Sequence, residues 1–398
     1  MKILLVHNYY GSSAPSGENK VFEAEKAMLE KHGHEVCVYT RHSDEIRSEP
    51  RNTLNPRKCG IMGNLKFRAF RVFCGFKKFW GLLKGAVCTV GNPFAARAVA
   101  KKCKEFKPDV VHFHNAFPLI SPLAVRAASK YAPVVMTLHN YRTVCAAGVP
   151  TRDGKVCSLC LDKKCVLDGV RHRCYRGSLA AILPLAINIV IYRKLLPKWV
   201  SRFIVLSEFQ KRKMVEYGWP KEKIAVKGNF INRVERAERV EKKDQIVYVG
   251  RLSKEKGVET LIEALRSLRS LRLKIVGDGI DRTELEEMSR GLNVEFVGQK
   301  PFDEARKVIA ESKALISPSA CWETFGLAAA EAMSVGTPSV VSNVGALPDI
   351  VQDGRFGEIF EAGNAEACAA AKREADTKYS EEANYKQLME IYGEVVSA

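Results

Sequence analysis

The chain has 398 residues and no run of 18 uncharged apolar ones. A membrane-spanning helix needs about 20, so none is expected. The longest apolar stretch, Leu179 to Tyr192, contains Pro184 and Asn188 and fits a buried or interfacial helix. At the N-terminus the apolar run covers only Ile3 to Val6. That is too short for a secretory signal and reads as a first strand, so a cytoplasmic protein is expected. Asp-x-Asp occurs nowhere, so no metal-bridged diphosphate is suggested. Acid is missing from Arg51 to Lys104, which holds 13 Lys and Arg. Neither an internal repeat nor a nucleic-acid-binding module is readable, which disfavours nucleic acid as the partner of this basic field.

The formal charge of +18 is unevenly spread. Residues 1–243 carry 45 Lys and Arg against 19 Asp and Glu, whereas residues 244–378 carry 17 against 22. The basic excess thus belongs to the N-terminal part, and such a field attracts a polyanion or an anionic membrane surface. The length exceeds one ordinary core, so two domains are expected.

Strand, loop and helix patterns alternate along the chain, which predicts an α/β fold with parallel sheets. A first series of strands runs through Lys2–Val6, Glu35–Tyr39, Asp109–Phe113, Val134–Leu138 and Phe203–Leu206. A second runs through Ile246–Val249, Leu273–Val276, Val294–Val297, Ala314–Ser317 and Pro338–Ser342. Asn92-Pro93 reads as the cap and first turn of a helix to Phe106. The charged segment Asn229–Lys243 separates the two series. The expected domains are 1–228 and 244–379, joined by a linker at 229–243, with a helix at 380–398 packing back on the first.

The most informative segment is Cys321 to Pro338, CWETFGLAAAEAMSVGTP. Glu323 and Glu331 are eight residues apart, which on a helix is about 80° around the axis and about 12 Å along it. Gly326 removes a side chain where the helix begins, so backbone N–H groups there are open to a ligand. One carboxylate at the helix mouth and one on its flank suit a polyhydroxyl ligand carrying phosphate. The plainer alternative is a buried alanine-rich helix with one solvated Glu. Ile246–Gly257, IVYVGRLSKEKG, is a strand and a Gly turn carrying Arg251, Lys254 and Lys256, a fork and point charges for phosphate oxygens.

Together with Val276-Gly277-Asp278-Gly279 and Gly336-x-Pro338, in this order, these motifs resemble those of family 4 of the retaining GT-B glycosyltransferases. Asp109–Asn115 (DVVHFHN), Thr137–Asn140 (TLHN) and His172–Ser178 (HRCYRGS) extend the resemblance to bacterial polysaccharide-assembly members. It implies two Rossmann-like domains with parallel sheets facing across a cleft. By that resemblance a nucleotide diphosphate sugar is the donor, and Arg251 and Lys256 hold its diphosphate. Glu323 contacts the sugar hydroxyls, the backbone at Phe325, Gly326 and Leu327 touches sugar and phosphate, and Glu331 accepts from the ribose hydroxyls. Gly250, Gly277 and Gly298 stand at strand ends, where ligands bind in open α/β sheets. Gly17 keeps half of a Gly-Gly pair that relatives often carry in the first loop. His139 matches the position of a His that contacts the transferring sugar or the acceptor; a structural His at a strand end is the other reading. Cations would replace a metal at the diphosphate, and no cofactor is implied for catalysis.

Five cysteines fall between Cys145 and Cys174. Cys157-x2-Cys160 has metal-knuckle spacing, and Cys145 and Cys174 complete a possible structural zinc site; packed or redox-active thiols fit the same residues. From Leu65 to Lys84, aromatic and apolar residues recur at helical spacing among Lys and Arg, which suits an anionic leaflet. The expected protein is a retaining hexosyltransferase acting on a glycan or lipid-diphosphate-linked acceptor in cell-surface polysaccharide synthesis, at the inner face of the membrane. A nucleotide-sugar epimerase of the same fold and a non-catalytic sugar-nucleotide-binding scaffold are the alternatives. A glycan phosphorylase needs a pyridoxal-phosphate lysine motif, which is not found.

Overall fold

The computed structural model describes residues 1–10, 17–45, 85–231, 240–266, 271–352 and 381–396. The loop before Gly17, the basic stretch Leu65–Lys84 and most of the interdomain linker read from the sequence lie outside these residues.

The first sheet has six strands in the order β2-β1-β3-β4-β7-β8. They are β1 (Lys2–Tyr9), β2 (Glu35–His42), β3 (Val110–Asn115), β4 (Val134–Thr137), β7 (Arg202–Val205) and β8 (Ile224–Val226). β1 pairs in parallel with β2 and β3, and β3 with β4. β1 and β3 are buried almost throughout, as continuous apolar strands between two layers of helix should be. The helices include α1 (Gly17–Lys31), α2 (Pro93–Phe106), α3 (Pro122–Ala128), α4 (Leu179–Tyr192) and α5 (Glu208–Tyr217). α2 starts as its sequence predicts: Asn92 accepts from the N–H groups of Phe94 and Ala95, and Pro93 fills the first turn. Between β4 and α4 the chain forms a small antiparallel hairpin, β5 (Thr151–Arg152) with β6 (Lys155–Val156), and short helical turns.

The second sheet is ordered β11-β10-β9-β12-β13, from β9 (Lys243–Val249), β10 (Arg272–Val276), β11 (Val294–Gly298), β12 (Ser312–Ser317) and β13 (Ser339–Val341). Every pairing in it is parallel. α6 (Val258–Leu265) and α7 (Arg282–Met288) pack on one face around Ile262, Leu273 and Leu285. α8 (Phe302–Ala310) and α9 (Leu327–Ser334) pack on the other, around Val247, Ile309 and Leu315. The strand order reverses between β9 and β12, so their carboxyl ends flank a crevice of the kind that binds ligands in open sheets.

Contacts divide the chain into two compact units, 1–139 with 166–203 and 392–398, and 140–165 with 204–391. The last helix, α10 (Glu381–Val396), ends on the first sheet. There Tyr392 Oη lies 2.6 Å from His112 Nδ1, and Arg202 pairs with Glu394.

Candidate functional site

The loop after β9 and the loop after β12 are locked together by backbone. Ala320 N donates to Glu255 O at 2.9 Å, and from the loop after β13 Ala346 N donates to Glu323 O at 3.0 Å. Gly257 makes this approach possible. Its φ is +67°, and a Cβ there would stand 2.0 Å from the Pro318 carbonyl oxygen. Lys256 is thereby delivered to Glu323, with Nζ 2.6 Å from Oε1; 23% and 18% of the two side chains remain exposed. Ser319 Oγ donates to the same carboxylate oxygen at 2.6 Å. Burial works against the charge on both groups. For Glu323 the Lys256 ammonium and the Ser319 hydroxyl outweigh it and hold the carboxyl below its usual range. For Lys256 the carboxylate outweighs it and raises the amine. The pair is therefore charged at neutral pH.

Arg251 is largely exposed and forks toward Glu255 Oε1 at 2.7 Å and Ser253 Oγ at 3.3 Å. Its carbonyl accepts from Tyr248 Oη at 2.8 Å. Beside them, burial and the Glu323 charge push the Cys321 thiol up to about 12, so it is not a nucleophile near neutral pH. Trp322 packs edge-on to Tyr141 and Phe209, with Lys213 Nζ 5.1 Å from its ring centre.

Gly326, at φ +94°, precedes α9. Glu331 lies in the second turn of that helix, 8% exposed, with the Arg306 guanidinium of α8 within electrostatic reach. Phe325 is buried in the core around Val247 and Leu315, so only its backbone is available to a ligand. Gly250, Gly277 and Gly298 form one row at the strand ends: Gly250 N donates to Val276 O, and Gly277 N to Gly298 O. The sequence thus selected residues that one end of one sheet gathers: Gly250, Arg251, Lys256, Gly277, Gly298, Glu323, Gly326 and Leu327, with Glu331 one helix turn further on. Ser319 and Arg306 were not anticipated. A lone Ser and a helical Arg carry no spacing signal.

In the first unit His139 follows β4 and is 9% exposed. Its Nε2 lies 3.1 Å from His114 Nδ1. His114 Nε2 and His112 Nδ1 stand 3.0 and 3.1 Å from one oxygen of Glu25. His112 Nε2 contacts Thr137 Oγ1 at 2.7 Å. His7 stacks on Phe22 at 4.5 Å and contacts Asn19 Oδ1 at 3.0 Å. Burial, then the neighbouring His114, drive His139 well below the usual imidazole range, with Glu25 pulling the other way. It is thus a neutral donor and acceptor at neutral pH. Period-two alternation on β3 sets His112 and His114 on one face, and Glu25 reaches them from α1. Gly17 opens α1 with no atom within 4 Å of where a Cβ would stand.

The structure does not gather the four cysteines read as a possible structural zinc set. Among the described residues, Glu25, His112 and His114 are the His, Cys, Asp or Glu set whose three ligand atoms lie within 4.8 Å of one another, and no set contains Cys145, Cys157, Cys160 or Cys174. The knuckle spacing instead spans the turn into the Leu159–Asp162 helix, where Cys160 and Leu161 are buried and Cys165 N donates to Cys160 O.

Residues 17–234 match the family described as Glycosyltransferase Family 4, more than half of the chain, and residues 231–387 match Glycosyl transferases group 1. The chain belongs to the family-4 type of GT-B glycosyltransferases. It is 25% identical to the putative teichuronic acid biosynthesis glycosyltransferase TuaC of Bacillus subtilis, covering 97% of this chain and 91% of that protein. It is 34% identical over 134 residues to the sulfoquinovosyl transferase SQD2 of Arabidopsis thaliana, which is 33% of this chain but only 26% of SQD2. A 41.2 kDa protein of the cps region of Klebsiella pneumoniae is 30% identical over 44% of this chain and 53% of its own length. The chain thus spans between a quarter and just over half of the length of these last two relatives. Anabaena HepE, solved with UDP and glucose, superposes with a TM-score of 0.62 at 16% identity, covering 99% of this chain and 100% of that one. This places the chain in the GT-B fold.

Proposed function

We propose that the protein is a retaining glycosyltransferase that moves a hexosyl group from a nucleoside diphosphate sugar to a glycan, with a lipid-diphosphate carrier as the favoured acceptor, in cell-surface polysaccharide assembly. The observation that carries the reading is the Lys256–Glu323 pair, 2.6 Å apart between the ends of β9 and β12, with Glu331 in the helix that follows. The diphosphate is the leaving group, so negative charge grows on it as the glycosidic bond breaks. Lys256, Arg251 and the N–H groups at the start of α9 are fixed donors for that charge. Glu323 receives sugar hydroxyls, and Glu331 receives the two ribose hydroxyls through charge-assisted bonds. These cations take the place of a diphosphate-bridging metal, in keeping with a sequence without Asp-x-Asp.

His139 contacts the transferring sugar or the acceptor as a neutral imidazole. TuaC, whose name assigns it to teichuronic acid biosynthesis, supports the polymer context. HepE, solved with UDP-glucose, makes uridine diphosphate sugars the first donors to try. A lipid-linked acceptor sets the enzyme at the cytoplasmic face of the cell membrane. A thermal-shift panel of nucleoside diphosphates and their sugars tests the donor reading. Stabilisation by one base series is expected, and none by any would overturn it.

A further inference from the structure

Helix α4 has an apolar face that this fold leaves open. Its 14 residues, LAAILPLAINIVIY, include no charge. One side is buried through Ile182, Leu185, Ile189 and Tyr192. The helix's one amide is turned inward as well, with Asn188 Nδ2 donating to Thr89 O at 2.6 Å. On the other side Leu179, Leu183, Ile187, Val190 and Ile191 are 42–57% exposed. At 100° per residue these five fall within about 120° of the axis, so they form one continuous stripe. Exposed aliphatic residues scattered singly mean little, whereas a contiguous stripe marks a docking surface.

Charge frames the stripe. From Gly169 to Ser207 the chain has seven basic residues and no acid. Arg171, Arg173 and Arg176 precede the helix and are exposed. Arg193, Lys194 and Lys198 follow it, and the two lysines are exposed. A second copy of the chain fits this face poorly, because a two-fold antiparallel pairing of α4 would set the arginines of one copy against the basic cluster of the other. The stripe also lacks the aromatic, Met and Arg anchors of protein interface cores. Anionic headgroups suit both basic ends, and acyl chains suit an aliphatic stripe. At 1.5 Å per residue the helix is about 21 Å long, short of a hydrocarbon core of about 30 Å. No helix among the described residues is long and apolar enough to cross a membrane.

We propose that the exposed face of α4 docks this protein on an anionic bilayer, with the helix lying in the plane of the interface. The inference deepens the membrane-side reading above and rests on it for the choice of a lipid partner. It does not depend on the donor assignment.

The test is flotation of the full chain with vesicles of phosphatidylglycerol and phosphatidylcholine, and with phosphatidylcholine alone. Binding to the anionic vesicles, weakened by salt, is expected. Leu183→Asp with Ile187→Asp should cut the bound fraction at least tenfold, and Arg173→Glu with Lys194→Glu should cut it while leaving the stripe intact. Thermal unfolding and the nucleotide-induced shift, read on the same samples, should match the parent protein. No binding by the parent chain, or equal binding by the Leu183/Ile187 variant, overturns the proposal. Loss of a dimer in that variant, by light scattering, would assign the face to a second copy instead and equally overturn it. A parent chain that floats but is stabilised by no nucleotide keeps this inference and removes the donor reading.

Discussion

Lys256 and Glu323, 67 residues apart in sequence, share a partly buried ion pair of 2.6 Å that the Gly257 turn makes possible. Its two halves have different duties in the proposed reaction, one on the leaving diphosphate and one on the sugar. Lys256→Ala removes the cation where leaving-group charge develops, so kcat should fall roughly 100-fold or more, with a smaller change in donor KM. It also strands the Glu323 carboxylate. Unfolding stability should drop toward the lower end of the roughly 3–5 kcal/mol seen when a buried pair is broken. Steady-state kinetics with urea unfolding separate the two effects. Loss of donor affinity at unchanged kcat would sink the leaving-group role.

Glu331 stands apart from that pair, on the second turn of α9 and nearly buried. Its proposed bonds to the ribose are made equally in ground and transition states. Glu331→Ala should therefore raise donor KM roughly 10- to 100-fold, the range of one charged hydrogen bond lost or slightly more, and leave kcat within a few-fold. Initial rates across donor concentration decide this. A fall in kcat with unchanged KM would place Glu331 at the reacting centre instead.

The proposed donor half of the site was readable because its signals are local. Glu323 and Glu331 sit on one helix and its entry, and Gly250, Gly277 and Gly298 each close a strand whose apolar run is visible. The Asn92 cap was legible for the same reason. The His cluster was half legible: period-two alternation put His112 and His114 on one face of β3, but Glu25 reaches them only because β1 and α1 lie beside β3. A Glu in an amphipathic helix reads as solvated until the sheet order is known. Ser319 was hidden likewise, since its role depends on Glu323 folding back toward it. The cysteines misled in the opposite direction. Cys157-x2-Cys160 fixes a local spacing, but a closed ligand set also requires the hairpin and turns from Thr151 to Cys174 to converge, and they are organised otherwise.

Two positive-φ glycines of the second sheet's loops differ in what they tolerate. Gly277 has φ +147°, and a Cβ there would stand 1.8 Å from the Gly250 carbonyl oxygen, backbone that cannot move without parting β9 from β10. Gly291 also has positive φ, +81°, but no atom lies within 4 Å of its Cβ position. Gly291→Ala should therefore cost only about 1 kcal/mol, the price of the left-handed conformation. Gly277→Ala should cost several-fold more and reduce soluble yield. Circular-dichroism melts of the two variants make the comparison. Equal losses would mean that the close packing at Gly277 is relieved by a shift of the chain.

The buried imidazoles of the first unit predict a particular acid sensitivity. Burial lowers His7 to about 4, with the Asn19 bond opposing and His114 adding to the shift, and burial likewise holds His139 well below the usual imidazole range. In the unfolded chain both return to about 6.5. Between those values the unfolded state binds more protons than the folded one, so stability must fall as pH drops. The contribution is complete above about pH 6.5, declines through the interval and is lost near pH 4 for His7, where it amounts to roughly 3 kcal/mol. Urea unfolding at pH 7.5, 6 and 5 should show this decline. His7→Gln removes the titrating group but keeps a polar side chain near Asn19, so it should flatten the pH dependence even where it lowers stability at pH 7.5. An unchanged slope in that variant would assign the acid sensitivity to other groups.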